Sequence, residues 1–121
     1  MQAILGYILA PLAWVMGVPW SEAVQAASFI GQKMVINEFI AYIDFLKVAD
    51  DLSEKTQIII SFALCGFANI GSLAMVMGGL AALCPERRHD LSELGMKALI
   101  AAALANLMSG TIAGLLFSIA G

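Results

Sequence analysis

The stretch "CGFANIGS", residues 65–72, lies in the middle of an uncharged run from Gln57 to Cys84. It brings together four residues that disfavour a continuous helix: Gly66, Asn69, Gly71 and Ser72. Each apolar flank has about ten residues, which at 1.5 Å per residue reach about halfway through a 30 Å hydrocarbon core. The pattern predicts a re-entrant helical hairpin over residues 57–84, with its polar tip against protein or a watery cavity. A single kinked span is the alternative.

The composition of the chain points to a lipid bilayer as its surroundings. Apolar residues make up 61% of the sequence and charged residues 12%, and the mean hydropathy is +0.91. A chain of 121 residues has too little interior to hide that much apolar surface from water. The net charge of −3 provides no basic stripe, so no nucleic-acid partner is expected. No nucleophile–base pair and no cluster of metal ligands is present, so we expect neither an enzyme nor a metal site.

The first twenty residues are apolar but are not expected to form a signal peptide, because they have no Lys or Arg at their start. Pro11 divides them and cannot continue a helix without strain. The sequence therefore predicts two short interfacial or scaffold helices, at residues 2–10 and 11–18.

Residues 21–47 read as a transmembrane helix that is broken near its middle. Polar residues keep one helical face until Gln32, and the polar stripe resumes at Asn37 on another face. We therefore expect a bend or unwound turn near residues 35–38. Glu38 follows directly, and a carboxylate in a membrane helix is a functional-site candidate by default. The alternative is that Glu38 forms an ion pair with Lys33, or is a protonated acid bonded to a neighbouring helix.

Two polar segments, residues 48–56 and 85–91, read as loops at the membrane surface. Arg87 and Arg88 place the second loop on the cytoplasmic side, and a hairpin between the loops would place the first loop there too.

Residues 92–120 read as a transmembrane helix, because no charge follows Lys97. Small or short polar residues recur at every fourth position of this helix in two adjacent rows: Ala101, Ala105, Ser109 and Ala113, and Ala102, Asn106, Gly110 and Gly114. Such faces let another backbone approach closely in lipid, so we expect this helix to pack against protein.

Motifs across almost the whole chain resemble a known family. N-E-F lies within residues 31–45, and G-F-A-N-x-x-S and then P-x-R-R lie within residues 61–114. In this order they are similar to the C-terminal part of the concentrative nucleoside transporter family, whose members import nucleosides with a sodium or proton gradient. The resemblance implies an all-α membrane protein with a broken core helix at 21–47, a re-entrant hairpin at 57–84 and a closing transmembrane helix.

The resemblance also implies a substrate-binding site. It assigns contacts with the ribose hydroxyls to Glu38, Asn69 and Ser72, and contact with the nucleobase to Phe67. Asn37, beside Glu38, is a weaker candidate. The chemistry agrees, because a carboxylate accepts from vicinal hydroxyls, amide and hydroxyl groups donate and accept, and a phenyl ring offers an apolar face. No cofactor is implied.

The family's first hairpin has no counterpart in these residues. We therefore expect a C-terminal, ribose-binding fragment of a sodium- or proton-coupled symporter, with the coupling ion bound mainly outside this segment. The partners implied are a nucleoside, the bilayer and the remainder of a transporter that is homotrimeric in the family, in the plasma membrane (bacterial inner membrane). The alternative is a non-transporting small membrane assembly protein, which would have no reason to keep Glu38, Asn69 and Ser72 in lipid.

Overall fold

The computed structural model describes residues 1–121, and all its regular elements are helical, which confirms the predicted all-α class. Six α-helices follow one another, with 3-10 turns at Ala49–Asp51 and Pro85–Arg87: α1 (Gln2–Val15), α2 (Trp20–Val35), α3 (Glu38–Val48), α4 (Glu54–Leu64), α5 (Ile70–Leu83) and α6 (Arg88–Ala120).

Helix α1 runs unbroken through Pro11, so the prediction of two short helices at 2–10 and 11–18 is wrong. The proline removes one backbone hydrogen bond. Close packing of α1 on α2 offsets this loss, because Ala10 and Ala13 are buried in the core that the two helices share. The chain then bends by 116° into α2. Gly17 lies in this turn with φ +103°, a backbone conformation that glycine adopts without strain.

Helices α2 and α3 fold back on each other as a hairpin whose tip is Ile36–Asn37. Across the pair, the rings of Phe29 and Phe45 meet edge to face with centroids 5.7 Å apart. At the base, the backbone N–H of Ser53 donates to Glu22 Oε1 at 3.1 Å. The chain therefore enters and leaves this hairpin at the same end.

Helices α4 and α5 lie one after the other along α6 and run in the opposite direction to it. Three contacts mark their path in order: Ile59 against Gly114, Gly66 against Asn106, and Met77 against Gly95. Gly95 and Gly114 are about 29 Å apart along α6 at 1.5 Å per residue, close to the thickness of a hydrocarbon core. Helices α4 and α5 are therefore two helices in line, together long enough to span a membrane, and we call this segment the broken span.

This arrangement corrects two of the predictions from the sequence. The hairpin lies at α2–α3, where a broken transmembrane helix was predicted over 21–47, and the broken span lies at α4–α5, where a hairpin was predicted over 57–84. Both segments consist of two short helices around a polar interruption, so their lengths fit either path. Contacts with distant residues determine the path. The contact of Glu22 with Ser53 brings the two ends of α2–α3 together, whereas packing along α6 keeps α4 and α5 in line.

Helix α6 provides the long surface on which the broken span lies. The stretch Pro85–Ala120 has 36 residues and a mean hydropathy of 1.8 in its most apolar window, which is long and apolar enough to cross a membrane. Of its two small-residue rows, the one with Asn106, Gly110 and Gly114 contacts α4 and the break after it. The other row is largely exposed.

We expect Gly110→Ala to lower the stability of the protein by about 1–3 kcal/mol, the usual cost of overpacking. The added methyl carbon would lie 2.7 Å from the backbone oxygen of Ile59, which cannot move aside cheaply. Gly79→Ala is the matched control, because nothing lies within 4 Å of its added methyl group. It should raise stability slightly, through helix propensity. Thermal melting of the detergent-purified protein measures both, and equal melting temperatures would contradict the close α4–α6 packing.

Candidate functional site

The tip of the α2–α3 hairpin and the break between α4 and α5 meet at the same level of the fold. Glu38 is the first residue of α3, and Asn69 directly precedes α5. The side-chain amide Nδ2 of Asn69 donates to Glu38 Oε2 at 3.1 Å. The two residues are 31 positions apart in sequence, and this hydrogen bond joins the two interrupted segments.

Asn69 is held in one orientation by the helix that it caps. Its Oδ1 accepts from the backbone N–H of Ser72 at 2.8 Å and from Ser72 Oγ at 3.1 Å. A backbone nitrogen can only donate, so the oxygen of the amide must point toward α5 and the nitrogen toward Glu38. Asn69 is 4% exposed, whereas Glu38 and Ser72 are half-buried. The structure therefore brings three predicted site residues into one hydrogen-bonded group.

Asn37 shapes the hairpin tip and takes no part in this group. Its Oδ1 accepts from the backbone N–H of Ile40 at 2.9 Å, which caps the start of α3. The cap places Glu38 in the first turn of α3, where the positive end of the helix dipole favours a carboxylate.

Phe67 lies in the break itself, and its side chain is 74% exposed. It is two residues before Asn69, so it is near the polar group along the chain but is not packed into it. The structure therefore leaves this ring open to a ligand or to another part of a larger protein.

Lys33 is a residue of this region that the sequence did not single out as a functional candidate. It is 3% exposed, and its Nζ donates to the backbone oxygen of Ala63 at 2.9 Å. The three salt bridges of the chain involve other residues, so the ion pair considered between Lys33 and Glu38 is absent. A lysine five residues before Glu38, in a segment predicted to lie in the membrane, is the signal that could have found it.

Comparisons with known proteins agree with this fold. Residues 1–114 match the family described as "Na+ dependent nucleoside transporter C-terminus". The nucleoside permease NupC of Helicobacter pylori is 49% identical over 93% of this chain and 28% of its own length. Sodium/nucleoside cotransporter 1 of Rattus norvegicus is 36% identical over 96% of this chain and 20% of its own length. A structure of CNTnw in an inward-facing substrate-bound state is 56% identical, with a TM-score of 0.93 over 100% of this chain and 30% of that one.

The chain belongs to the Na⁺ dependent nucleoside transporter family and corresponds to its C-terminal part. The family implies an integral membrane protein, and the relatives are named as permeases and cotransporters, not as enzymes. The chain spans 30% or less of the length of these relatives.

Proposed function

We propose that these residues form the C-terminal, ribose-binding portion of a cation-coupled nucleoside symporter. The observation that carries the proposal is the hydrogen-bonded group of Glu38, Asn69 and Ser72, formed where the hairpin tip meets the break of the span. Polar and charged side chains inside a membrane protein cost free energy unless they bind a ligand, an ion or a neighbouring chain. An assembly module would have no use for them.

The group supplies what a pair of vicinal hydroxyls needs. Glu38 has one carboxylate oxygen bonded to Asn69 and retains acceptor capacity on the other, so it accepts from a ribose hydroxyl. The second N–H of the Asn69 amide donates to a hydroxyl oxygen. Ser72, whose hydroxyl donates to Asn69, keeps its oxygen lone pairs as acceptors. Hydrogen bonds to the charged Glu38 are the strongest of this set.

Phe67 extends the site toward the nucleobase. Its ring is exposed beside the polar group, and a phenyl face suits a planar base through apolar contact and stacking. The reading of the base itself falls to other parts of the transporter, because this chain places no further polar side chain in the group.

Sodium is the coupling ion that the family description supports, and a proton is the alternative. We place the ion mainly outside these residues, in the remainder of the transporter. In the bilayer, α2–α3 enters and leaves from one side as a re-entrant hairpin, while α4–α5 and α6 cross. The assembled transporter is a trimer in the bacterial inner membrane.

Asn69 both caps α5 and donates a hydrogen bond to Glu38, and replacing it by serine separates these two roles. Serine still caps α5 but does not reach Glu38, so we expect a nucleoside Kd about tenfold higher, as for the loss of one hydrogen bond. The melting temperature should stay close to that of the parent protein. Asn69→Ala loses the cap as well, and should also lower stability by about 1 kcal/mol.

This prediction is tested by measuring uridine binding and uptake in the full-length protein that contains these residues. The assays are run in sodium and in choline medium at one pH. Unchanged uridine affinity in Asn69→Ser would count against the ribose site. Uptake that is equal in both media would point to the proton.

A further inference from the structure

Lys33 is the only charged side chain among the buried residues of the chain. Its side chain is 3% exposed, and its one hydrogen-bond partner in the chain is the backbone oxygen of Ala63. A buried ammonium group is costly unless it is paired, so the position of this group is tightly constrained. The proposed substrate site does not use it.

The partner carbonyl lies at a particular place in the fold. Ala63 is the penultimate residue of α4, so its oxygen is one of the last carbonyls, which have no partner within the helix. A cation there also interacts favourably with the negative end of the helix dipole. The break begins at the next residue but one, Cys65, and leads to Asn69. Lys33 therefore binds the last turn of α4, directly before the break.

Helix α2 holds α4 at both ends. Near the start of α4, Glu22 accepts from the backbone N–H of Ser53 at 3.1 Å, from Ser53 Oγ at 2.9 Å and from the hydroxyl of Thr56. Glu22 and Lys33 are separated by about 16 Å along α2, which is about the length of an eleven-residue helix. The carboxylate of Glu22 thus lies at the positive end of the α4 dipole, and the ammonium group of Lys33 lies at its negative end.

We propose that Lys33 is a positioning residue for the nucleoside site. By holding the Ala63 carbonyl, it sets where α4 ends relative to the hairpin, and so brings Asn69 of the break to Glu38 of the hairpin tip. Without the ammonium group, the last turn of α4 is free to shift, and the two ribose-binding groups separate. This inference rests on the proposed function, in which Glu38 and Asn69 bind the ribose hydroxyls.

The test compares three variants of the full-length protein: Lys33→Met, Lys33→Arg and Glu22→Gln. The quantity measured is the ratio of the Kd for 2′,3′-dideoxyuridine, which lacks both vicinal hydroxyls, to the Kd for uridine, together with the melting temperature. This ratio reports how well the site reads a hydroxyl, and a loss of stability alone does not change it. Glu22→Gln is the matched control, because it weakens the other end of α4, far from the site.

We expect Lys33→Met to raise the Kd for uridine about tenfold and to lower the ratio at least fivefold, toward one. Lys33→Arg should keep the ratio within about twofold of the parent protein, since a guanidinium also donates to the carbonyl. Glu22→Gln should lower the melting temperature and keep the ratio. If Lys33→Met is not recovered folded, Lys33→Gln takes its place under the same criterion.

An unchanged ratio in Lys33→Met would overturn the positioning role. An equal fall of the ratio in Glu22→Gln would overturn it too, because the effect would then belong to helix packing in general. A parent protein that binds uridine and 2′,3′-dideoxyuridine equally would instead exclude the ribose site, and with it the role of Lys33.

Discussion

Replacing Glu38 by glutamine in the full-length protein is expected to reduce uridine uptake at least tenfold with no change in the amount of protein in the membrane. Glutamine keeps the shape of the side chain, and its oxygen can still accept from Asn69. It loses the negative charge that strengthens the hydrogen bond to a ribose hydroxyl. Hydrogen bonds to charged groups contribute about 1.5–3 kcal/mol, which corresponds to about 10- to 150-fold in affinity.

The matched control for this substitution is Glu86→Gln. Glu86 is exposed in the 3-10 turn before α6, away from the hairpin tip. Uridine uptake by the Glu86→Gln variant should therefore equal that of the parent protein. Initial rates of labelled uridine uptake, divided by the amount of protein in the membrane, give the comparison. Parent-level uptake by Glu38→Gln would exclude Glu38 from the site.

The second large effect concerns the two sides of the membrane. Single cysteines at Asp51 and His89, in a protein lacking Cys65 and Cys84, are expected to react with an impermeant maleimide from opposite sides. The reason is the path of α4 and α5 along the length of α6. If α6 crosses the membrane as proposed, this path takes the chain from one membrane surface to the other between these positions.

A cysteine at Ser21 is the control for this labelling experiment. Ser21 lies beside Glu22 at the base of the α2–α3 hairpin, where the chain returns at Ser53. It should therefore be labelled from the same side as Asp51. Labelling of Asp51 and His89 from one side would restore a hairpin over residues 57–84 and contradict the broken span.

The local features of this fold were readable in the sequence. The interruption near 35–38 was predicted from a shift of the polar stripe, and α2 ends at Val35 and α3 begins at Glu38. The polar residues of "CGFANIGS" also predicted an interruption, and the chain leaves helix between Leu64 and Ile70. Helix-forming and turn-forming preferences depend on residues a few positions apart, so these interruptions can be predicted from a single sequence.

The path of each interrupted segment was not readable in the same way. A half-length helix fits a hairpin and a broken span equally, and the choice depends on contacts between distant residues such as Glu22 with Ser53 or Ile59 with Gly114. Pro11 shows the same limit, because packing on α2 outweighs its local preference. The role of Lys33 depends on a backbone carbonyl 30 positions away, which no local pattern indicates.

The fixed amide of Asn69 gives the proposed site a direction as well as a shape. Because the amide oxygen is committed to α5, only N–H faces the hairpin tip, while Glu38 offers only lone pairs. Toward a ligand, Asn69 therefore donates hydrogen bonds and Glu38 accepts them. A sugar hydroxyl satisfies both sides at once through its single oxygen. An amino group in its place would satisfy mainly Glu38, and a fluorine would leave Glu38 without a donor, so the site distinguishes substituents of similar size by the polarity of their hydrogen bonds.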